Sequence, residues 1–102
     1  MKTSTDFAIH LSRFLSEYLP HERGMSHHTI LAYRDTFMQF IRYMKEEKNI
    51  PVEKLTLDKL SKCVIVDFLE WVQNERNCST STRNYWLAAI HSFVSYLQYG
   101  TT

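Results

Sequence analysis

Only four positions in this 102-residue chain are glycine or proline: Pro20, Gly24, Pro51 and Gly100. An all-β domain needs frequent turns, and this chain has too few residues suited to making them. The stretch from Cys78 to Leu97, CSTSTRNYWLAAIHSFVSYL, carries the strongest periodic signal. At helical spacing Trp86, Ala89, Ile90, Phe93 and Leu97 form one apolar stripe, widened by Leu87 and Val94. Asn84, Ala88, His91 and Ser95 fall on the other side, which is small and polar. Periodicity by itself describes an ordinary amphipathic helix. The added feature is chemical: no Asp or Glu occurs from Asn77 to Thr102. Ser79 to Thr82 supply four successive hydroxyls, any of which can cap the helix start.

Three further amphipathic segments precede it. Thr5 or Asp6 can cap a first helix over 6–19, with Phe7, Leu11, Phe14, Leu15 and Tyr18 inward and Ile9 on the polar side. Ile9 is either a simple exposed apolar residue or a contact for a partner. Pro20 to Gly24 is expected to break this helix. Ser26 is the candidate cap of a second helix over 27–48, with Ile30, Tyr33, Phe37, Phe40, Ile41 and Met44 facing a core. Asp35, Gln39, Arg42 and Glu46 lie opposite. A third segment spans 57–76: Thr56 can cap a short turn, and a break is possible near Ser61. Leu57, Leu60, Val64, Phe68, Trp71 and Val72 line its inner face. Its outer side mixes Lys59, Lys62, Glu70 and Gln73, with Asp67 and Glu75 at the flanks. The fourth helix covers 80–98. The expected fold is an all-α, compact four-helix bundle.

Length sets one domain with a modest core and no need of disulfides. The formal net charge is +1, so any polyanion must be met by local patches rather than a global field. Two cysteines, Cys63 and Cys78, are too few for a disulfide framework and suit a reducing compartment. Cys78 lies near a helix start, where a thiol pKa can fall, yet a structural or incidental role is the simpler reading. The polar N-terminus and the lack of an apolar run of roughly 20 residues give no expectation of a signal peptide or membrane span. His27 and His28 are adjacent and so do not share a helix face as metal ligands, and no cysteine pair has finger spacing. No phosphate loop, dinucleotide fingerprint, nucleophile elbow, paired-carboxylate site or Ser-His-Asp site is recognisable. No cofactor, metal or catalytic residue is expected in this chain.

The second helix start repeats the chemistry of the fourth. Between Arg23 and Arg34 there is no acid, although Glu22 and Asp35 flank that window. Hydroxyls, histidines and two arginines gather where free N–H groups and the helix dipole favour phosphate. A capped, solvated helix start has the same composition, so the two readings stay open on these residues alone.

Two segments taken together resemble a known family. One is Ser26-x-x-Thr29-x-x-x-Tyr33-Arg34 followed by Phe37 and Phe40; the other is Cys78-Ser79-x-Ser81-Thr82-Arg83-Asn84-x-x-Leu87-Ala88-Ala89-Ile90-His91-Ser92-Phe93. Leu55-Thr56-Leu57-Asp58 and Asp67-Phe68-Leu69-Glu70-Trp71 lie between them. In this order and spacing, over about residues 7 to 98, they resemble the N-terminal core-binding domain of tyrosine recombinases, the phage-integrase and Xer-like family, with the flavour of integrases from bacterial mobile elements. The resemblance implies a SAM-like bundle whose second and fourth helices enter the major groove or follow its phosphates. It also implies a separate catalytic domain, absent here, which breaks and rejoins strands through a 3′-phosphotyrosine link. Residues 1–5 would then be a flexible N-terminus, 6–99 a single DNA-binding domain and 100–102 the start of a linker to that catalytic domain. The implied partners are double-stranded DNA, the catalytic domain of the parent chain and other recombinase protomers in a synaptic complex; no membrane is implied. The implied location is the bacterial cytoplasm, at the nucleoid.

Carried over by position, the resemblance assigns DNA binding to Thr29, Tyr33 and Arg34 on the second helix. On the fourth it assigns Ser79, Ser81, Thr82, Arg83, Asn84 and His91. Tyr33 lies on the core stripe and is expected mainly to pack. His91 stands where many relatives have arginine, which makes it a poorer phosphate partner. Tyr85 and Trp86 occupy positions that are often polar or basic, and Tyr85 can stack or pack against DNA sugar. Two other classes compete. One is a helical protein-interaction bundle, suggested by the near-neutral charge and by Ile9. The other is a helix-turn-helix regulator, disfavoured because the best recognition helix is long and lacks a closely preceding helix joined by a tight turn.

Overall fold

A computed structural model describes residues 6–75 and 79–100 of the chain. The expectations for residues 1–5, including a cap by Thr5, for a helix end at Arg76, for Asn77 and Cys78, and for residues 101–102 lie outside the described residues. Four helical units are present and no strand occurs among the described residues. The first unit is α1, Asp6–Arg13, prolonged by a π-helical segment, Phe14–Glu22. Then come α2, His27–Lys48, and two short 3-10 turns, Val52–Lys54 and Leu57–Lys59. The third is α3, Lys62–Glu75. The fourth is α4, Thr80–Ser95, prolonged by π-helical turns over Tyr96–Gly100. The bounds of α2 are those its Ser26 cap and apolar spacing predict.

The other boundaries correct the sequence reading. The first unit does not stop at Leu19; helical winding passes through Pro20 to Glu22. Pro20 has no N–H to give, so the regular four-residue bond is lost at its position and the segment runs in a wider pattern. The end is closed by wide bonds: Arg23 N–H donates to the Tyr18 carbonyl at 3.1 Å, and Met25 N–H donates to the Leu19 carbonyl at 3.0 Å. Gly24 makes this reversal at φ +60°, where a side chain is disfavoured. α2 ends similarly at Asn49, with φ 57°, and Ile50 N–H donates to the Met44 carbonyl at 2.9 Å.

The third segment is not one helix from residue 57. Thr56 is not a cap: its hydroxyl donates to the Asp58 carboxylate instead. That contact holds the Asp58 carboxyl below its ordinary value. The Leu57 N–H is taken by Asp6, whose Oδ1 accepts it at 3.0 Å and also accepts the Phe7 N–H at 2.7 Å. Asp6 therefore joins the start of α1 to a turn far along the chain. The expected break near Ser61 is where α3 begins, and Ser61 Oγ accepts the Val64 N–H at 3.3 Å.

All six phenylalanines (Phe7, Phe14, Phe37, Phe40, Phe68 and Phe93) are essentially inaccessible, so the core is an aromatic one. Burying each contributes about 1.5–3 kcal/mol before entropy is counted. Phe93 from α4 meets Phe7, Phe14 and Phe37 with ring centroids 5.9, 5.1 and 5.2 Å away. Phe68 of α3 lies edge-on to Phe40 of α2 at 5.2 Å and stacks on Trp86 of α4 at 6.0 Å. Each inward stripe read from periodicity contributes to this cluster. Leu19, Tyr43, Leu55, Leu69 and Tyr96 are also buried and lay outside those stripes. Thr36 is buried too, its hydroxyl donating to the Ala32 carbonyl at 3.1 Å. The radius of gyration is 13.4 Å and the extents are 35 × 35 × 22 Å, a slab rather than a sphere.

Candidate nucleic-acid interface

The starts of α2 and α4 are built alike. At α2, Ser26 is extended at φ −66°, ψ 157°, and its Oγ accepts the Thr29 N–H at 3.3 Å. The Ser26 and Thr29 hydroxyls lie 3.0 Å apart. At α4, Ser79 is extended at φ −71°, ψ 163°, and its Oγ accepts the Thr82 N–H at 3.2 Å. Ser79 also donates its hydroxyl hydrogen to Thr82 Oγ1 at 3.1 Å. Ser79 is thus committed to the cap, and the hydrogen of the Thr82 hydroxyl is the one left to point outward. The earlier first-turn N–H groups, of His27 and His28 on α2 and of Thr80 and Ser81 on α4, have no helical acceptor by geometry. Neither first turn contains an acid, so the dipole at each start is not neutralised locally.

The two starts meet through a tyrosine pair. Tyr33 of α2, 8% exposed, lies edge-on to Tyr85 of α4 with ring centroids 5.8 Å apart and planes at 75°. Tyr85 is 38% exposed, and burial together with the nearby Tyr33 phenol raises its pKa above the ordinary value. Tyr33 packs, as its place on the stripe predicts. Trp86 is half-buried against Phe68.

The remaining assigned residues divide by exposure. Ser81, Asn84 and His91 are exposed and, with Tyr85, Ala88 and Ser95, form one outward stripe along α4. Thr29 and Thr82 are half-buried beside their cap serines, and Arg34 is exposed on α2. Arg83 is half-buried, and its Nε is enclosed without a hydrogen-bond partner. The guanidinium carries further N–H donors beyond the enclosed Nε, and its place next to an acid-free helix start suits it to an oxyanion. The sequence reading passed over Leu31 and Met38, 43% and 47% exposed, which share the outer face of α2 with Arg34. Their helical spacing with Arg34 was the available signal.

Elsewhere the surface is less suited to phosphate. Towards the C-terminal end of α2, a shallow groove is lined by Arg42, Glu46, Glu47, Trp71 and Glu75. Arg42 there is already paired, its Nε 2.9 Å from Glu46 Oε2. Lys48 and Asp67 approach at 3.8 Å between α2 and α3. Among the described residues, no three His, Cys, Asp or Glu side chains come together as a metal-binding group. Among the same residues, no helix is long and apolar enough to cross a membrane.

The architecture is that of an all-α, SAM-like four-helix bundle. Residues 11–99 match the family described as phage integrase, N-terminal SAM-like domain, and the chain belongs to that family. It is 36% identical over 86 residues to y4rC of Sinorhizobium fredii, named as a candidate integrase/recombinase; the match covers 84% of this chain and 26% of that protein. It is 36% identical over 88 residues to the tyrosine recombinase XerC of Herpetosiphon aurantiacus, covering 86% of this chain and 26% of the relative. Against the tyrosine recombinase XerD of Oceanobacillus iheyensis, identity is 30% over 80 residues, covering 78% and 25%. The chain therefore spans about a quarter of the length of these curated relatives. No solved structure gives a significant match.

Proposed function

We propose that this chain is the DNA-binding module of a site-specific tyrosine recombinase and grips one face of a recombination site through the starts of α2 and α4. The observation that carries this reading is the paired Ser-x-x-Thr cap, acid-free in both first turns and joined by Tyr33 and Tyr85. In this reading Arg34 and Arg83 neutralise phosphates, and Thr29, Ser81 and Thr82 donate hydroxyl hydrogens to phosphate oxygens beside first-turn N–H groups. Asn84 faces outward on α4, where its amide can pair with an adenine edge; His91 lies further along the same stripe. Ala88 between them allows close approach. Tyr33 supports the surface from within, and Ser79 supports it by holding the α4 cap.

The parent activity follows in the same reading. Residues 6–99 form the gripping domain, and residues 100–102 begin a linker to a catalytic domain that carries out strand exchange. Other protomers complete the synaptic assembly, in the bacterial cytoplasm at the nucleoid. With few cations on the gripping face, this domain alone binds weakly, and the second domain raises affinity through effective concentration.

An NMR amide titration with a short duplex at low salt tests the reading. Shifts concentrated at residues 26–35 and 79–92, and reversed by salt, are expected. A second reading, a protein-interaction bundle, draws on Ile9, which is 42% exposed on α1. Self-association on sedimentation, with no duplex-induced shifts, would favour it.

A further inference from the structure

We infer that Tyr33 and Tyr85 are a positioning pair that sets the relative placement of the two helix starts; this inference rests on the DNA-binding reading above. α4 is held to the neighbouring helices by aromatic contacts at several levels. Deep in the core, Phe93 meets Phe37 of α2 edge-on at 5.2 Å. Near the start of α4, Trp86 stacks on Phe68 of α3 at 6.0 Å. Tyr85, one residue before Trp86, meets Tyr33 of α2 at 5.8 Å. Of these three, only the tyrosine contact joins α2 and α4 near their starts, in the second turn of each. Tyr33 lies one turn beyond Thr29, and Tyr85 lies just beyond Thr82, so each ring sits immediately behind a cap.

The Phe93 contacts to Phe7, Phe14 and Phe37 lie about two turns further along α4 and the Trp86 contact goes to α3, so the tyrosine pair is the aromatic contact that fixes the start of α4 against α2. Without the tyrosine pair, α4 stays anchored through Phe93 and Trp86 while its first turn gains freedom relative to α2. Two phosphate sites on a stiff duplex reward a fixed spacing, because an ill-spaced pair must be ordered at the moment of binding. Tyr33 is too buried to offer a broad surface to DNA, so an effect of its ring on affinity has to travel through Tyr85.

The test uses the chain itself with Tyr85→Ala, Tyr33→Leu, the double variant and Tyr85→Phe. Residual dipolar couplings on the free chain read the angle between α2 and α4. Titration with a short duplex reads affinity. Tyr85→Ala and Tyr33→Leu are each expected to alter the interhelical angle and weaken duplex binding roughly fivefold or more. The double variant should be little worse than either single one, as for two residues acting through one contact. Tyr85→Phe keeps the ring and should behave as the parent. An unchanged angle in Tyr85→Ala overturns the inference. So does a folded Tyr33→Leu chain that binds DNA normally, since Tyr85 would then act by touching DNA itself. Additive losses in the double variant also overturn it. If Tyr33→Leu does not fold, the angle in Tyr85→Ala decides. Failure of the DNA-binding reading looks different: the angle changes, but the unaltered chain gives no duplex-induced shifts.

Discussion

Ser79 and Thr82 share two hydrogen bonds, yet their substitution should separate stability from binding. Ser79 accepts the Thr82 N–H and gives its own hydrogen to Thr82 Oγ1, so both its functions are taken up within the cap. Ser79→Ala is expected to cost about 1 kcal/mol of stability, the usual loss for a serine cap. Thermal or denaturant unfolding measures it. Thr82→Val leaves the Ser79–N–H bond in place and removes the outward hydroxyl hydrogen. That variant should lose duplex affinity with a smaller change in stability, seen by titration at fixed salt. The cap at Ser26 and the inward turn of Tyr33 were readable because each depends on neighbours within a few residues. The enclosed Nε of Arg83 was not, since periodicity gives the face of a residue and not the exposure of one side-chain atom.

Helix ends show where local reading stops. α2 was legible at both ends because Ser26 caps its start and the apolar spacing ends near Lys48. The first unit overran its expected end because Pro20 was accommodated by a change of winding rather than a stop. The 57–76 segment divides at Leu60 and Ser61, where the sequence placed a possible break, whereas the Leu57 N–H bond to Asp6 joins partners 51 residues apart that no window around Leu57 contains. Gly24 offers a clean test of the first of these ends. A Cβ built there meets nothing within 4 Å, so the penalty for a side chain comes from the backbone alone. Gly24→Ala is therefore expected to destabilise the chain by about 1 kcal/mol. Denaturant unfolding should register this as a lower midpoint with an unchanged slope. A larger loss would point to a steric conflict that the structure does not contain.

Across the whole molecule, charge is distributed more informatively than its sum. The net value of +1 conceals two acid-free helix starts and an acidic stretch from Glu46 to Glu75. Binding should therefore respond to salt as a few local contacts would. With Arg34 and Arg83 as the principal phosphate partners, the log–log salt slope for a duplex is expected to be about −2. Arg83→Ala should weaken binding to all sequences and reduce that slope by about one unit. Fluorescence anisotropy over a salt series gives both values. An unchanged slope would remove Arg83 from the interface. The aromatic centre was legible from the stripes, but the flat outline was not, because periodicity says which face is inward and not how four inward faces are stacked. The Asp6–Leu57 bond carries a consequence of another kind, for the order of assembly. During synthesis Asp6 is made long before its partner, so the first helix lacks this attachment until the middle of the chain arrives. Leu57 is then the amide whose hydrogen exchange reports that arrival, and its protection marks the moment when the two ends of a 51-residue span become one body.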